Sequence, residues 1–137
     1  MTTYIYNLLG QRTSTTLPDN TAKAMTYDPA GRLKKSTLAS GKSQTNVYEF
    51  SGVLDKIEFR NAANTLVGTD DYTYDALLRK IGSTGRYSVT QAWAYNDLGQ
   101  LATDTTTYNG QSYAVNYAYD TRRVRLNFRL KSVLVVG

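Results

Sequence analysis

The 137-residue sequence contains no cysteine and no histidine, and it has only two prolines and one tryptophan. The absence of cysteine excludes a disulfide framework. The absence of both residue types also excludes thiolate or imidazole metal sites, Ser/His/Asp and Cys/His nucleophile pairs, and imidazole acid–base chemistry. We therefore expect no metal, no other cofactor and no catalytic residue. Only carboxylates, hydroxyls and lysines remain for a hydrolase or transferase, and they form no recognisable constellation.

Long hydrophobic runs are also missing. No apolar run approaches the roughly 20 residues that cross a bilayer, and no N-terminal segment has the pattern of a signal peptide. We therefore expect no membrane span. The content of 41% hydrophobic and 20% charged residues is typical of a folded protein of one-domain size.

Basic residues exceed acidic ones, giving a formal net charge of +5, but the excess lies entirely at one end. No acidic residue follows Asp120, whereas five of the 16 basic residues do. Residues 1–120 are therefore formally neutral and offer no basic stripe along which a phosphate backbone would lie. This distribution argues against a nucleic-acid partner.

A short motif recurs along the chain, with tyrosine placed four residues before glycine. Its copies begin at Tyr6, Tyr27, Tyr48 and Tyr95, and two further copies, at Tyr74 and Tyr119, lack the glycine. The intervals between these tyrosines are 21, 21, 26, 21 and 24 residues. Such a period predicts a repeat protein in which each repeat is one supersecondary unit.

The best copy, Asp28-Pro29-Ala30-Gly31, has the residues of a type I turn followed by a glycine bulge. Short stretches rich in Thr, Tyr, Val and Leu surround the turns, and two strands with two turns use about 21 residues. Further turns are predicted between the motifs, at Ser40-Gly41, Ala63-Asn64, Thr84-Gly85 and Asn109-Gly110. The predicted fold is all-β, an extended, curved meander of antiparallel hairpins.

Tyr27-Asp28-Pro29-Ala30-Gly31-Arg32-Leu33 resembles the YD repeat of the bacterial Rhs proteins, and residues 95–101 form a looser copy. The resemblance implies a long β-sheet that curls into a hollow shell around a toxin, in secreted or cell-surface proteins. Six repeats are too few to close such a shell, so an open arc, a fragment of a longer protein, is expected. We assign residues 1–126 to the repeat array and residues 127–137 to a C-terminal apolar and basic strand segment.

The repeated residues have a structural interpretation and a functional one. The tyrosines either pack on neighbouring hairpins or form a sugar-stacking ladder, and the aspartates are turn acceptors. The turn motif comprises Tyr27, Asp28, Gly31, Tyr48, Gly52, Tyr74, Asp75, Tyr95, Asn96, Gly99, Tyr119 and Asp120.

Trp93 and Tyr95 would share one face of a strand, as an aromatic core pair or as a candidate ligand platform. The basic pairs Lys34-Lys35 and Arg79-Lys80 are interpreted as solvated rims. Residues 124–131 alternate between apolar and polar, which predicts a strand, and Ser132–Val136 continue it as an apolar run that pairs readily at an exposed edge.

The leading hypothesis is a non-catalytic structural segment of a YD-repeat shell or cell-surface scaffold that encloses or presents a toxin or effector. Its expected partners are neighbouring YD repeats or a second copy, paired through sheet edges. The alternative is a carbohydrate- or cell-surface-binding module that uses exposed Tyr and Trp side chains. The sequence identifies no specific ligand, and a secreted or cell-surface location follows from the resemblance alone.

Overall fold

The computed structural model describes residues 1–119 and, for the backbone alone, the strand Arg125–Lys131. Every regular element in this part of the chain is a β-strand. The strands are β1 (Thr3–Tyr6), β2 (Arg12–Thr16), β3 (Ala22–Tyr27), β4 (Leu33–Leu38), β5 (Ser43–Tyr48), β6 (Leu54–Arg60), β7 (Leu66–Tyr74), β8 (Lys80–Thr84), β9 (Thr90–Tyr95), β10 (Leu101–Tyr108), β11 (Gln111–Tyr119) and β12 (Arg125–Lys131).

The chain divides into two compact units, Met1–Thr69 and Asp70–Gly137. In the first unit, β1 to β6 pair antiparallel in chain order. In the second unit, the strands from β7 to β12 do the same. The prediction of an all-β meander of antiparallel hairpins is confirmed, and the alternating segment near the C-terminus contains the predicted strand, β12.

Turns of one geometry close the hairpins at the repeated motif. They span Asn7–Gly10, Asp28–Gly31, Glu49–Gly52, Asp75–Leu78 and Asn96–Gly99, and we call them the YD turns. The strand register shifts by one residue beside each YD turn, for example between Thr26 and Tyr27. Such a bulge increases the local twist of the strands and turns the tyrosine side chain toward the neighbouring repeat.

The turns at the opposite ends of the strands were predicted less well. Gly41 and Asn64 lie in turns as predicted and adopt the left-handed conformation, and Asn109-Gly110 form a two-residue hairpin loop. The turn predicted at Thr84-Gly85 begins at Gly85 and ends at Ser88, which is its left-handed residue. One turn was missed, at Leu17–Asn20, although Pro18-Asp19-Asn20 is a recognisable turn sequence.

Each unit is a single layer of strands with almost no enclosed interior among its described residues. Among residues 1–119, the one buried apolar side chain is Met25, at 7% exposure, and no side chain is fully buried. The two faces nevertheless differ. In β9, Gln91, Trp93 and Tyr95 are half-buried, whereas the alternate residues are exposed. We call the side that carries the motif tyrosines the tyrosine face.

Candidate functional site

Each YD turn is closed by its own backbone. At Asp28, the carbonyl accepts the Gly31 N–H at 2.9 Å and the N–H donates to the Arg32 carbonyl at 2.9 Å. Gly31 has a φ of 81°, the left-handed value that follows a type I turn in a glycine-bulge hairpin. Arg32 therefore belongs to the turn and precedes the next strand.

Side chains close the turn a second time. In four YD turns the first residue, Asn or Asp, uses its Oδ1 to accept the backbone N–H four residues later, at 2.9 Å each. The remaining atoms of the same two side chains also pair. The pairs are Asn7 with Gln11, Asp28 with Arg32, Asp75 with Arg79, and Asn96 with Gln100. A carboxylate therefore pairs with a guanidinium, and an amide pairs with an amide. The sequence shows this match, because the two residue types change together at a spacing of four.

These bonds favour the charged form of the turn carboxylates. Burial tends to raise the pKa of the Asp28 carboxyl, but the backbone and guanidinium hydrogen bonds from Arg32 outweigh it and hold the pKa below its ordinary value of 3.8. At Asp75 the hydrogen bond from the Arg79 backbone N–H is the largest cause, and the pKa is again lowered. Both carboxylates therefore act as charged hydrogen-bond acceptors within their own turns.

Two YD turns differ from the others, one in its first residue and one in its last. Glu49 begins a turn that ends at Gly52 with a φ of 93°, but its carboxylate accepts a bond from the Ser51 hydroxyl at 3.3 Å. In the turn that begins at Asp75, Leu78 occupies the glycine position with a φ of 59°. A leucine in the left-handed region carries strain that glycine avoids.

The motif tyrosines link one repeat to the previous one. Tyr27 donates its hydroxyl to the Arg12 carbonyl at 2.8 Å, and Tyr48 donates to the Leu33 carbonyl at 2.9 Å. In the second unit, Tyr95 donates to the Lys80 carbonyl at 2.9 Å, and Tyr119 donates to the Leu101 carbonyl at 2.9 Å. In every case the acceptor is the first residue of the strand that follows the preceding YD turn.

The residue after the turn glycine reaches forward to the next repeat. Gln11 Nε2 donates to the Gly31 carbonyl at 3.0 Å, and an Arg32 guanidinium nitrogen donates to the Gly52 carbonyl at 3.3 Å. The Arg32 guanidinium also lies 4.2 Å from the centre of the Tyr48 ring. We call these forward contacts, together with the tyrosine hydroxyl bonds, the turn ladder.

The same cation–ring contact recurs in the second unit, where the Arg79 guanidinium lies 4.5 Å from the centre of the Tyr95 ring. The next residue, Lys80, places its ammonium 4.0 Å from the Tyr72 ring and 5.5 Å from the Trp93 ring. The prediction of a solvated rim at Arg79 and Lys80 was therefore wrong, because aromatic rings attract and cover these cations.

These contacts bear on the candidate ligand platform. Trp93 and Tyr95 do share a face, and both are half-buried. Lys80 lies over the Trp93 ring and Arg79 lies over the Tyr95 ring, so a cation of the chain itself already occupies one side of each. A stacked sugar would have to use the other side or displace the cation.

The remaining motif residues have simple positions. Tyr74 ends β7 and pairs with Lys80 across the β7–β8 hairpin. Gly99 ends the Asn96 turn, with a φ of 75°. Asp120 lies outside the described residues.

The other acidic residues in the described part of the chain do not converge on a catalytic site. Glu58 forms an ion pair with Arg60 at 2.9 Å, and Asp70 accepts the Arg86 backbone N–H at 3.0 Å. No group of three or more carboxylates in this part of the chain is placed to hold a metal ion. The same residues include no helix of the length and apolarity that a membrane span requires.

Comparison with known proteins identifies the repeat. The sequence model of the RHS repeat family matches residues 6–43, the segment that contains the first two YD turns. No curated protein sequence matches the chain.

Solved structures share the fold at low sequence identity. The crystal structure of TcdB2-TccC3 has a TM-score of 0.74 and 17% identity, covering 93% of this chain and 8% of that chain. The complex TcdB2-TccC3-Cdc42 has the same score and identity, with 93% and 7% covered. The Tc holotoxin pore of Photorhabdus luminescens has a TM-score of 0.69 and 14% identity, with 97% and 9% covered.

The chain therefore spans less than a tenth of the length of these matched chains. It carries an RHS repeat at residues 6–43 within the fold that these proteins share, which confirms the resemblance to the Rhs, or YD-repeat, family.

Proposed function

We propose that the chain is a non-catalytic wall segment of an Rhs-type shell or surface scaffold, in which YD hairpins form a barrier that encloses or presents a toxin or effector. The turn ladder is the observation that carries this proposal. Within each unit it joins successive repeats at the turn ends of their strands, so stability is shared along the array and not drawn from a core.

The sparse interior supports the same function. A single layer with Met25 as its one buried apolar side chain among the described residues has two surfaces and little volume in which to build a deep pocket. A wall needs this geometry, because one surface faces the contents and the other faces the surroundings. Small-molecule sites are usually concave clefts or cavities that bury most of the ligand surface.

An open groove in the first unit illustrates the point. Its volume is about 510 Å³, and Tyr4, Arg12, Lys23 and Leu38 are among the residues that line it. No carboxylate lines the groove, so it lacks a general acid or base of the kind that sugar hydrolysis uses. The groove therefore does not favour an enzymatic function.

The proposal extends to location and partners. Wall segments of this kind act in secreted or cell-surface assemblies, and their immediate partners are further YD repeats joined at the sheet edges. We assign residues 1–126 to this array and residues 127–137 to a terminal strand segment. Residues 120–124 and 132–137 lie outside the described residues.

Protease protection tests enclosure directly. The chain is tagged in its native cell and isolated with whatever assembly contains it, and protease is added before and after a mild denaturant opens the assembly. We expect a particle much larger than 15.3 kDa that holds a polypeptide resistant to protease until it is opened. A chain that elutes alone, with no protected polypeptide, would contradict the enclosure.

Titration of Trp93 fluorescence with a panel of sugars tests the alternative, a carbohydrate-binding module. We expect the emission to be insensitive to every sugar, because Trp93 is half-buried in the sheet and the Lys80 ammonium lies 5.5 Å from its ring centre. A saturable spectral change that Trp93→Phe abolishes would favour the alternative function.

A further inference from the structure

The open groove of the first unit lies across strands β1 to β4, and its volume of about 510 Å³ is within the range of small-molecule sites. The strand register places one lining residue of each strand directly opposite the next, in the order Tyr4, Thr15, Lys23 and Leu38. Directly opposite residues of antiparallel strands share a face, so these side chains form one row across the sheet. Strands β2, β3 and β4 each pair along both edges, so most of the groove lies on a face of fully paired strands.

The groove is a basic surface in a basic unit. Residues 1–69 contain eight Lys and Arg residues and five Asp and Glu residues. Arg12 and Lys23 line the groove, and no carboxylate does. Neither cation forms an ion pair in the described part of the chain, and the Arg12 guanidinium lies 5.7 Å from the centre of the Tyr4 ring. Two positive charges without a carboxylate partner therefore line one concave surface, which favours an anionic ligand.

The acidic residue that borders the groove bonds within its own turn. Asp19 lies between the lining residues Leu17 and Thr21 in the sequence. Its Oδ1 accepts the Thr21 backbone N–H at 3.0 Å and the Thr21 hydroxyl at 2.7 Å. The Asp19 carboxylate is therefore not the partner of either cation.

The rest of the lining combines hydroxyl groups with apolar surface. The hydroxyls of Thr2, Thr15 and Ser40 are able to donate and accept hydrogen bonds, whereas Leu17 and Leu38 present apolar side chains at 47% and 50% exposure. A pyranose ring has the matching combination, because hydroxyl groups surround its C–H surfaces. A small inorganic anion would use the cations alone.

From this charge and lining we propose that the groove binds an acidic sugar, a ring that carries a carboxylate. Arg12 and Lys23 donate charge-assisted hydrogen bonds to the carboxylate, and the hydroxyl side chains bond to the sugar hydroxyls. Leu17 and Leu38 contact the C–H groups of the ring. The site lies in the other unit from Trp93, and it adds a ligand to the chain whether or not the wall encloses a polypeptide.

Titration of the ¹⁵N-labelled full chain with glucuronate, followed by NMR, tests the proposal. We expect saturable shifts of the backbone amides of Thr15, Lys23 and Leu38, with a Kd of about 0.1–10 mM because both cations are exposed to water. Raising the salt concentration from about 50 mM to about 300 mM should weaken binding by screening the charges. Glucose, which lacks the charge, and succinate, which lacks the ring, should each bind at least about fivefold more weakly.

Substitutions separate the groove from the rest of the basic surface. Lys23→Gln and Arg12→Gln should each weaken glucuronate binding about 3- to 10-fold, and Lys23→Arg should retain it. Lys34→Gln is the matched control, because Lys34 is exposed and does not line the groove, and its Kd should stay within about twofold of the unmodified chain. Circular dichroism should be unchanged in each variant, because the side chains at Arg12, Lys23 and Lys34 are exposed.

Four outcomes would overturn the proposal. The absence of saturable shifts, or an unchanged Kd in both Lys23→Gln and Arg12→Gln, would show that the groove is not the site. Succinate that binds as tightly as glucuronate would show that any carboxylate is accepted, including that of an acidic peptide, and glucose that binds as tightly would remove the role of charge. Protease protection measures enclosure by a separate readout, so failure of this proposal and failure of the proposed function are distinguishable.

Discussion

The Tyr48 hydroxyl donates a 2.9 Å hydrogen bond to the backbone carbonyl of Leu33, which lies 15 residues earlier and begins the strand after the preceding YD turn. The same separation of 15 residues joins Tyr27 to Arg12 and Tyr95 to Lys80. The same hydrogen bond therefore recurs in three repeats, and each copy depends on the hydroxyl oxygen of one tyrosine. The tyrosine hydroxyl, as well as its ring, is what the repeat position requires.

This bond explains how a single-layer sheet maintains its hairpins in order. Burial of apolar area contributes little where Met25 is the one buried apolar side chain of the described residues. Each ladder bond satisfies a carbonyl at the start of a strand, and leaving such a group unpaired costs free energy. Hydrogen bonds at the turns therefore contribute part of the stability that a hydrophobic core provides in a globular domain.

Arg32 and Tyr48 should be energetically coupled, because the guanidinium lies 4.2 Å from the ring centre. In a double-mutant cycle of Arg32→Ala with Tyr48→Leu, we expect a coupling free energy of about 0.5–1 kcal/mol in urea unfolding. Lys34→Ala is the control, since Lys34 is exposed on the following strand. Additive effects of Arg32→Ala and Tyr48→Leu would show that the contact contributes nothing.

Replacing Leu78 with glycine should stabilise the protein. Leu78 has a φ of 59° and is 50% exposed, so the variant relieves backbone strain and removes little packing. We expect the free energy of unfolding to rise by about 1 kcal/mol, measured by urea denaturation. Leu77→Gly is the control at the neighbouring turn position, and it should give no gain. A destabilised Leu78→Gly variant would indicate that the leucine side chain has a packing role.

Acid should weaken the YD turns through Asp28 and Asp75. Their pKa values are lower in the folded protein than the ordinary value of 3.8, so the folded state binds protons less readily than the unfolded state. Their contribution to stability is present above about pH 4 and is lost as the pH falls through the lowered values. We expect the double variant Asp28→Asn/Asp75→Asn to show a shallower loss of stability between about pH 4 and pH 2.

Asp97→Asn is the control for that experiment, because Asp97 lies within a YD turn but its carboxylate makes none of the turn hydrogen bonds in the described structure. Thermal unfolding at a series of pH values measures both variants. An acid profile of the double variant that matches the unmodified chain would contradict the role of the two carboxylates.

The sequence predicted those features that depend on a few neighbouring residues. Asp28, Pro29 and Gly31 determine their turn locally, and the 21-residue spacing of the motif indicates a hairpin per repeat. The turn predicted at Thr84-Gly85 begins at Gly85 and extends to Ser88, which is its left-handed residue. The presence of a glycine does not show which position of the turn it will occupy, since Gly85 begins its turn and Gly41 ends one.

The ladder was not predictable in the same way. The bond from Tyr48 to Leu33 depends on strand register and on a one-residue bulge, and neither is readable from a motif of five residues. The Asp28–Arg32 and Asn7–Gln11 pairs did leave a signal, since residue types change together at a spacing of four. Arg79 and Lys80 were misjudged because the rings that cover them come from distant strands.

Removal of the ladder hydroxyls tests the account most directly. The variant Tyr27→Phe/Tyr48→Phe/Tyr95→Phe/Tyr119→Phe keeps every ring and removes four hydrogen bonds. The control variant changes four exposed tyrosines whose hydroxyls make no bond among the described residues, Tyr4, Tyr87, Tyr108 and Tyr113. Urea denaturation followed by circular dichroism measures the free energy of unfolding. We expect the ladder variant to lose about 2–6 kcal/mol, or to fail to fold, while the control variant changes by less than about 1 kcal/mol. A ladder variant as stable as the control would contradict the claim that tyrosine hydroxyls hold successive repeats together.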